Sequence, residues 1–372
     1  MALLLALLLA LVAPAQTACK RCKDTRFVVC PAEARHACKG TSTRRCSLAS
    51  ACPSCVGTHR VPCPKCAPTP SGEYIAEQEA NRVWLASRAP IDTLFGRTLT
   101  HAQGAHFELT FDVEKLDASG GGDRHGGLHV YLDRLEALFA LVSKDLGAVD
   151  TDYLAPTQVF LWGVRADQEK AALHYTRQSS STEAKLMGKA PVVTIFYDHE
   201  WLHEEFELHQ AVVHQVVHCL LSNVWDGIWP GNIRAGWLDE GLAHAYEMAL
   251  FGEARHYCYV ESDTILDLKR GSWEPPVRAA VDQGKAPSFV GVAGKNTTEL
   301  EKDDQPFAWS YVDFVRRVHP DKLGPLARAL KAKKPLKDAL AETFALTPFQ
   351  FEEAWQAFVR TTYAVKEKKK RG

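Results

Sequence analysis

No charge of one sign dominates this chain. Its 44 Lys and Arg nearly balance 45 Asp and Glu. The resulting net charge of −1 supplies no general pull towards nucleic acid or an anionic membrane. Long apolar runs are missing as well: past Ala13 nothing approaches the roughly 20 apolar residues that a bilayer-crossing helix needs, so no spanning helix is predicted. The hydrophobic content of 46% and charged content of 24% are those of an ordinary soluble globular protein and name no function. At 372 residues the chain has room for two domains, or for one large domain with an attachment.

What the sequence does have is unevenly placed. Residues 2–13 form one apolar run followed by Ala13-Pro14-Ala15, the pattern of a signal peptide cleaved after Ala15, although no Lys or Arg precedes it. Gln16 argues against a lipoprotein signal leading to Cys19, so the protein is predicted to be exported (periplasmic, cell-surface or extracellular) and unlipidated. Nine of the eleven cysteines fall between Cys19 and Cys66. Residues 67–73, opening Ala67-Pro68-Thr69-Pro70, read as a linker. A mixed domain over residues 74–363 is expected to follow, with a solvated basic tail at 364–372. Within that domain Phe107, Leu109, Phe111 and Val113 alternate with polar residues, as a half-buried strand does. Leu128, Tyr131, Leu132, Leu135, Leu138, Phe139 and Val142 recur at helical spacing. Thr157–Trp162 and Val192–Tyr197 read as strands, the latter edge-like, and from about residue 205 onward the pattern is almost wholly helical.

The chemistry concentrates in two predicted helices. His214 and His218 are four residues apart and project from one helix face, a spacing at which two imidazoles can ligate one tetrahedral zinc. Val213, Val217 and Leu220 line the opposite face and anchor the helix. Eighteen residues past His218 begins Gly236-Trp237-Leu238-Asp239-Glu240-Gly241-Leu242-Ala243-His244-Ala245-Tyr246-Glu247.

Together these stretches resemble the paired helices of the gluzincin (peptidase MA-like) zinc metallopeptidases, over about residues 100–363. The resemblance implies an α+β zincin-like domain with a helical C-terminal part. It makes Glu240 the third zinc ligand beside His214 and His218. Two His and one carboxylate leave a fourth position open, the arrangement of a catalytic zinc. Glu204, Glu205 and Glu207 lie too far along the helix to serve, and Asp239 is less well placed than Glu240. His244 and Glu247 fall where residues that support the ligands would sit.

Three departures from the family stand out. Gln215 occupies the place of the general-base Glu, and an amide cannot shuttle a proton; losing such a base costs about 10²–10⁴ in rate, or roughly 3–5 kcal/mol of barrier. Phe307 stands where a common relative has a Tyr, with Tyr311 as a candidate substitute. His244 is basic where many relatives have an acid. The leading expectation is an exported zinc-binding homologue, a pseudoenzyme with impaired or lost peptide hydrolysis that retains a peptide or protein ligand in its cleft. The alternatives are an active zinc hydrolase using another base, and a scaffold acting through the Cys-rich head. The bland reading, polar core residues without metal, stands beside them.

In the head, residues 19–66, Cys22, Cys30, Cys38 and Cys46 recur every eight residues. Cys52-x-x-Cys55 and Cys63-x-x-Cys66 form two knuckles suited to one Cys₄ zinc. The segment partly resembles a DnaJ-type zinc module, with His59 at the second glycine position of the motif. Disulfides are the competing reading for an exported segment this small. Ten Lys or Arg against Asp24 and Glu33 suit an anionic envelope component, or simply balance zinc-thiolate charge. Without stacking aromatics, nucleic acid is not expected as a partner. Cys219, in an apolar helix, reads as a buried thiol, and Asn296-Thr297-Thr298 is a glycosylation sequon.

Overall fold

A computed structural model describes residues 19–364, apart from residues 24, 39, 68, 198–201 and 257–272. The predicted signal peptide (1–15) and, but for its first residue, the tail (364–372) lie outside the described residues. The chain is mixed α/β and divides into two compact units, one of residues 1–37 and 47–89, the other of 38–46 and 90–372.

The first unit is built on a short antiparallel ribbon of β1 (Phe27–Val29) and a strand at Arg60–Pro62, with register Phe27↔Pro62 and Val29↔Arg60. Short helices α1 (Glu33–His36) and α2 (Ser47–Ser50) fill its connections; β2 (Arg45–Cys46) belongs to the second unit, and the Arg60–Pro62 strand is β3. The long helix α3 (Gly72–Phe95) begins within the residues read as linker. Its first turns belong to this unit: the Tyr74 hydroxyl donates to the Arg60 carbonyl at 2.9 Å, and Asn81 donates to the Val56 carbonyl at 2.8 Å. The division therefore falls at Pro90, inside a helix, rather than at residues 67–73. Beyond Pro90 the same helix turns Ile91 and Phe95 into a different core, against Phe160 and Trp162.

The second unit carries a six-stranded sheet in the order β2–β4–β5–β6–β8–β7. Its strands are β4 (Thr100–Gln103), β5 (Phe107–Asp112), β6 (Thr157–Trp162), β7 (Glu183–Leu186) and β8 (Val192–Phe196). β5, β6 and β8 run parallel, and β2, β4 and β7 pair antiparallel at the two sides. The stretch read as edge-like, β8, is thus an inner strand, and β7 is the edge. β7 is only four residues long and carries Glu183 and Lys185, too short and too polar for alternation to reveal it.

Helix α4 (Arg124–Leu146) starts where the Asp123 carboxylate accepts from Gly126 N at 2.7 Å and ends at Gly147 in the left-handed region, φ +60°. Its predicted apolar stripe is buried throughout and packs on β4 and β5. A short α5 (Arg165–Ala171) follows β6. The remainder is helical: α6 (Glu205–Asn223), α7 (Gly236–Phe251), α8 (Glu274–Asp282), α9 (Phe289–Ala293), α10 (Gln305–Val318), α11 (Leu323–Lys331), α12 (Leu336–Phe344) and α13 (Pro348–Thr362). α6 is buried on every side from Gln210 to Asn223, beneath β8 and against α7, so its anchoring is not confined to Val213, Val217 and Leu220. Lys331 caps its end, the ammonium donating to the carbonyls of Leu221, Ser222 and Val224 at 2.6–3.0 Å. No described helix is long and apolar enough to cross a membrane.

Candidate metal centre

The packing of α6 against α7 decides which polar side chains meet. His214, His218 and Glu240 are all fully buried. The Nε2 atoms of His214 and His218 lie 3.1 Å apart. Glu240 Oε2 is 3.5 Å from His214 Nε2, and Glu240 Oε1 is 3.7 Å from His218 Nε2. Ligands about 2.0–2.1 Å from a tetrahedral ion are separated by roughly 3.3 Å, so the three atoms have the spacing of a coordination face.

The surrounding bonds set the tautomers. His214 Nδ1 faces Glu247 Oε2 at 3.0 Å and His218 Nδ1 faces Asp239 Oδ1 at 2.9 Å. Donating its Nδ1 proton to Glu247 leaves His214 Nε2 as a lone pair, and this nitrogen, His218 Nε2 and the Glu240 carboxylate converge on one point. Among the described residues, neither oxygen of Glu240 has a hydrogen-bond donor. A buried carboxylate without donors costs several kcal/mol unless a cation compensates it. The donor set and this orphaned carboxylate fit a divalent N/O-binding ion such as zinc. Burial drives His214 well below the usual imidazole range, against the pull of Glu247, which keeps the nitrogen available as a ligand. Burial opposes the charge of Glu247, but His214 and His244 hold it at about 2.

Glu247 is the hub of this support. Besides His214 it accepts from His244 Nδ1 at 2.9 Å, and its other oxygen takes the backbone N–H of His256 at 3.2 Å. His244 presents Nε2 3.6 Å from Glu240 Oε2, and with His214 and Glu247 it forms a second grouping of metal-ligand atoms. Asp239, set aside in the sequence in favour of Glu240, accepts through Oδ2 from Trp229 Nε1 at 2.7 Å and Thr297 Oγ1 at 2.8 Å, which hold it behind His218. The spacing along α7 carries Asp239 to one imidazole and Glu247 to the other; only the approach of α6 makes that visible.

Gln215 joins a separate polar chain. Its Nε2 donates to Glu183 Oε1 at 2.6 Å and lies 3.0 Å from His256 Nε2, and its Oε1 accepts from Lys185 Nζ at 2.6 Å. His256 and Glu183 form an ion pair at 2.7 Å. Burial disfavours charge on His256, yet Glu183 outweighs it and raises the imidazole pKa. Glu183, Lys185 and His256 gave no sequence signal, since they come from the unrecognised edge strand and from the segment after α7.

The α10 residues fall otherwise than expected. Tyr311 is buried among Trp237, Phe289 and Trp355, and its hydroxyl donates to the Pro287 carbonyl at 3.4 Å, so it does not stand in at the metal ligands. The ring of Phe307 packs edge-on to Trp355. The α10 residue that reaches the centre is Gln305, whose amide lies 3.2 Å from His244 Nε2. Cys219 is fully buried, and burial pushes its thiol up to about 12.

In the head the structure parts the expected quartet. Cys63 and Cys66 meet Cys19 and Cys22, while Cys52 and Cys55 meet Cys30. The antiparallel pairing of β1 and β3 is the reason. The residues before Phe27 and after Pro62 leave one end of the ribbon together, and those after Val29 and before Arg60 leave the other. Cys22 Sγ and Cys66 Sγ are 3.2 Å apart, and the backbone N–H groups of Cys22 and Arg21 draw the Cys19 thiol down to about 6. Beside the inner cluster, Glu33 takes a hydrogen bond from His59 at 3.0 Å, and His59 holds φ +57°, where the motif would have a glycine. No protein-family model matches the chain, and no curated protein matches it.

Proposed function

We propose that this protein is a gluzincin-like zinc protein that binds one ion through His214, His218 and Glu240, and that its peptide hydrolysis is impaired by Gln215. The observation that carries the reading is the buried Glu240 carboxylate, which faces imidazole nitrogens and has no hydrogen-bond donor among the described residues. Zinc so held would polarise a carbonyl and acidify a nearby water. The chain's own groups do the rest. Asp239 and Glu247 orient the imidazoles, and Gln215 can donate or accept a hydrogen bond but holds no transferable proton. Its amide is also engaged by Glu183 and Lys185, which ties it back towards β7. An exported location belongs to the same proposal and rests on the apolar run of residues 2–13.

A second reading has one observation in its favour. Glu183, partly exposed and 2.6 Å from Gln215, is a carboxylate placed beside the position of the missing base. In that reading Glu183 takes the proton and His256 balances its charge.

Metal content of the purified full-length protein tests the first claim. One zinc per chain is expected to disappear in His214→Ala/His218→Ala, and an unchanged content would remove the metal site. Chelator-sensitive cleavage of a peptide library then separates the readings. Impairment predicts little activity in the wild type and a gain of about 10²–10⁴ in Gln215→Glu. Substantial wild-type activity lost in Glu183→Gln would instead install Glu183 as the base.

A further inference from the structure

Two of the head cysteines are not part of the head unit. Cys38 and Cys46 bracket the excursion of residues 38–46 into the second unit, where they meet His125 and His129 at the start of α4. One ligand atom from each of the four residues lies within 4.8 Å of all the others. His125 and His129 are four apart on one helix face, with Nε2 atoms 2.9 Å from each other, and Cys46 Sγ lies 3.5 Å from His125 Nε2. Tetrahedral zinc with bonds of about 2.05 Å to nitrogen and 2.3 Å to sulfur places an N–N pair roughly 3.3 Å and an N–S pair roughly 3.6 Å apart. Cys46 and His129 are each 2% exposed, so the pair is removed from water.

We propose that Cys38, Cys46, His125 and His129 form a structural Cys₂His₂ zinc site. Thr43 Oγ1 lies 2.7 Å from His129 Nδ1; by accepting its proton it would leave Nε2 as a lone pair directed at the cluster. Two thiolates neutralise the dication, which suits a buried position. Four protein ligands leave no open place, so the site holds structure and does no chemistry.

The site would hold the loop between Cys38 and Cys46. β2 has two residues, paired Arg45↔Gln103 and Cys46↔Ala102 at the edge of the sheet, too little to hold an excursion by itself. Thr41 N and Ser42 N donate to the Asp133 carboxylate at 3.1 and 2.7 Å, drawing the loop onto α4 one turn beyond His129. Gly40 lets the loop close: a Cβ there would stand 3.0 Å from both His129 Cβ and Thr43 Oγ1. Zinc joining Cys38 and Cys46 to α4 clamps both ends of this loop. The site shares no residue with the His214 centre or with the other two cysteine clusters.

The test is zinc per chain in the full-length protein, purified under reducing conditions with zinc supplied and the excess removed. His125→Ala/His129→Ala should lose one equivalent that His214→Ala/His218→Ala keeps. His125→Cys, which preserves four ligands, should retain it. Thr43→Ala should weaken zinc retention at this site by about 10–100-fold. Should the double alanine variant fail to fold, alkylation of the wild type decides: Cys38 and Cys46 should be protected together by zinc and exposed together by chelator. Equal zinc content in the folded histidine variant overturns the site. So does alkylation of Cys38 and Cys46 that ignores zinc, or their recovery from the zinc-supplied protein as a disulfide.

Discussion

Gln215 and a glutamate differ by one terminal group, yet the surroundings treat the two differently. The amide can donate to Glu183 and accept from Lys185 at the same time, and both bonds are present at 2.6 Å. A glutamate there would keep the lysine but meet Glu183 as a like charge, so the local network is matched to Gln. This network suits an amide at position 215, and Gln215→Glu would need Glu183 or itself to hold a proton. Another single residue, six positions earlier, contributes to acid stability. Burial, aided by Arg134 and opposed by Glu205, draws the pKa of His209 from 6.5 to about 4. Above pH 6.5 the imidazole is neutral in both the folded and the unfolded chain, and its contribution is fully present. As pH falls from 6.5 to about 4 the unfolded chain takes up a proton that the folded one refuses, and stability is lost. The whole interval corresponds to roughly 3 kcal/mol. His209 packs edge-on to Tyr131 and Phe251, so His209→Phe should keep the contacts and flatten that limb of a melting-temperature profile. A profile as steep as the wild type would place the acid sensitivity elsewhere.

At the scale of elements, the decisive contact is the crossing of α7 over α10. A Cβ on Gly241 would come within 2.3 Å of the Ala308 carbonyl oxygen, a distance that neither backbone can yield without moving. Glycine is needed there for close approach, one position from Glu240. Gly241→Ala is therefore expected to destabilise the protein by about 1–3 kcal/mol, read from denaturant midpoints, and to weaken zinc retention as Glu240 is displaced. Stability lost with zinc retention intact would show that α7 shifts without carrying its carboxylate away. The same packing explains which elements were legible. β5, β6, α4 and the ligand helices showed themselves in the sequence: α4 by an apolar stripe on one face, β5 and β6 by strand-forming residues although both faces are buried, and α6 by the His214–His218 spacing on a helix buried all round. β7 and β2 did not, since short edge strands owe their form to a neighbour's backbone bonds rather than to their own side chains.

For the whole molecule, metal would act as a folding ligand. An ion bound only by the folded chain stabilises it by about 2.7 kcal/mol per site at a hundred times its dissociation constant. Chelator should therefore lower the melting temperature of the wild type, and His214→Ala/His218→Ala should show a smaller chelator shift. Equal shifts would assign the stabilising metal entirely to the cysteine-containing clusters. Each of the five ligand groupings among the described residues lies within one unit of the chain, yet each draws residues from distant parts of the sequence. Spacing within one helix is local, so the sequence by itself determined the pairing of His214 with His218, the candidacy of Glu240, and the presence of glutamine at position 215. Cysteine spacing is local too, but partners are not. The antiparallel register of β1 with β3 sent Cys52–Cys55 and Cys63–Cys66 to opposite ends of a ribbon. Likewise, only the folded chain brings Asp239 and Glu247 behind the imidazoles, Glu183 to Gln215, and two head cysteines to α4. Such contacts join residues about twenty to ninety positions apart, and no local periodicity encodes a distance that is closed by tertiary packing alone.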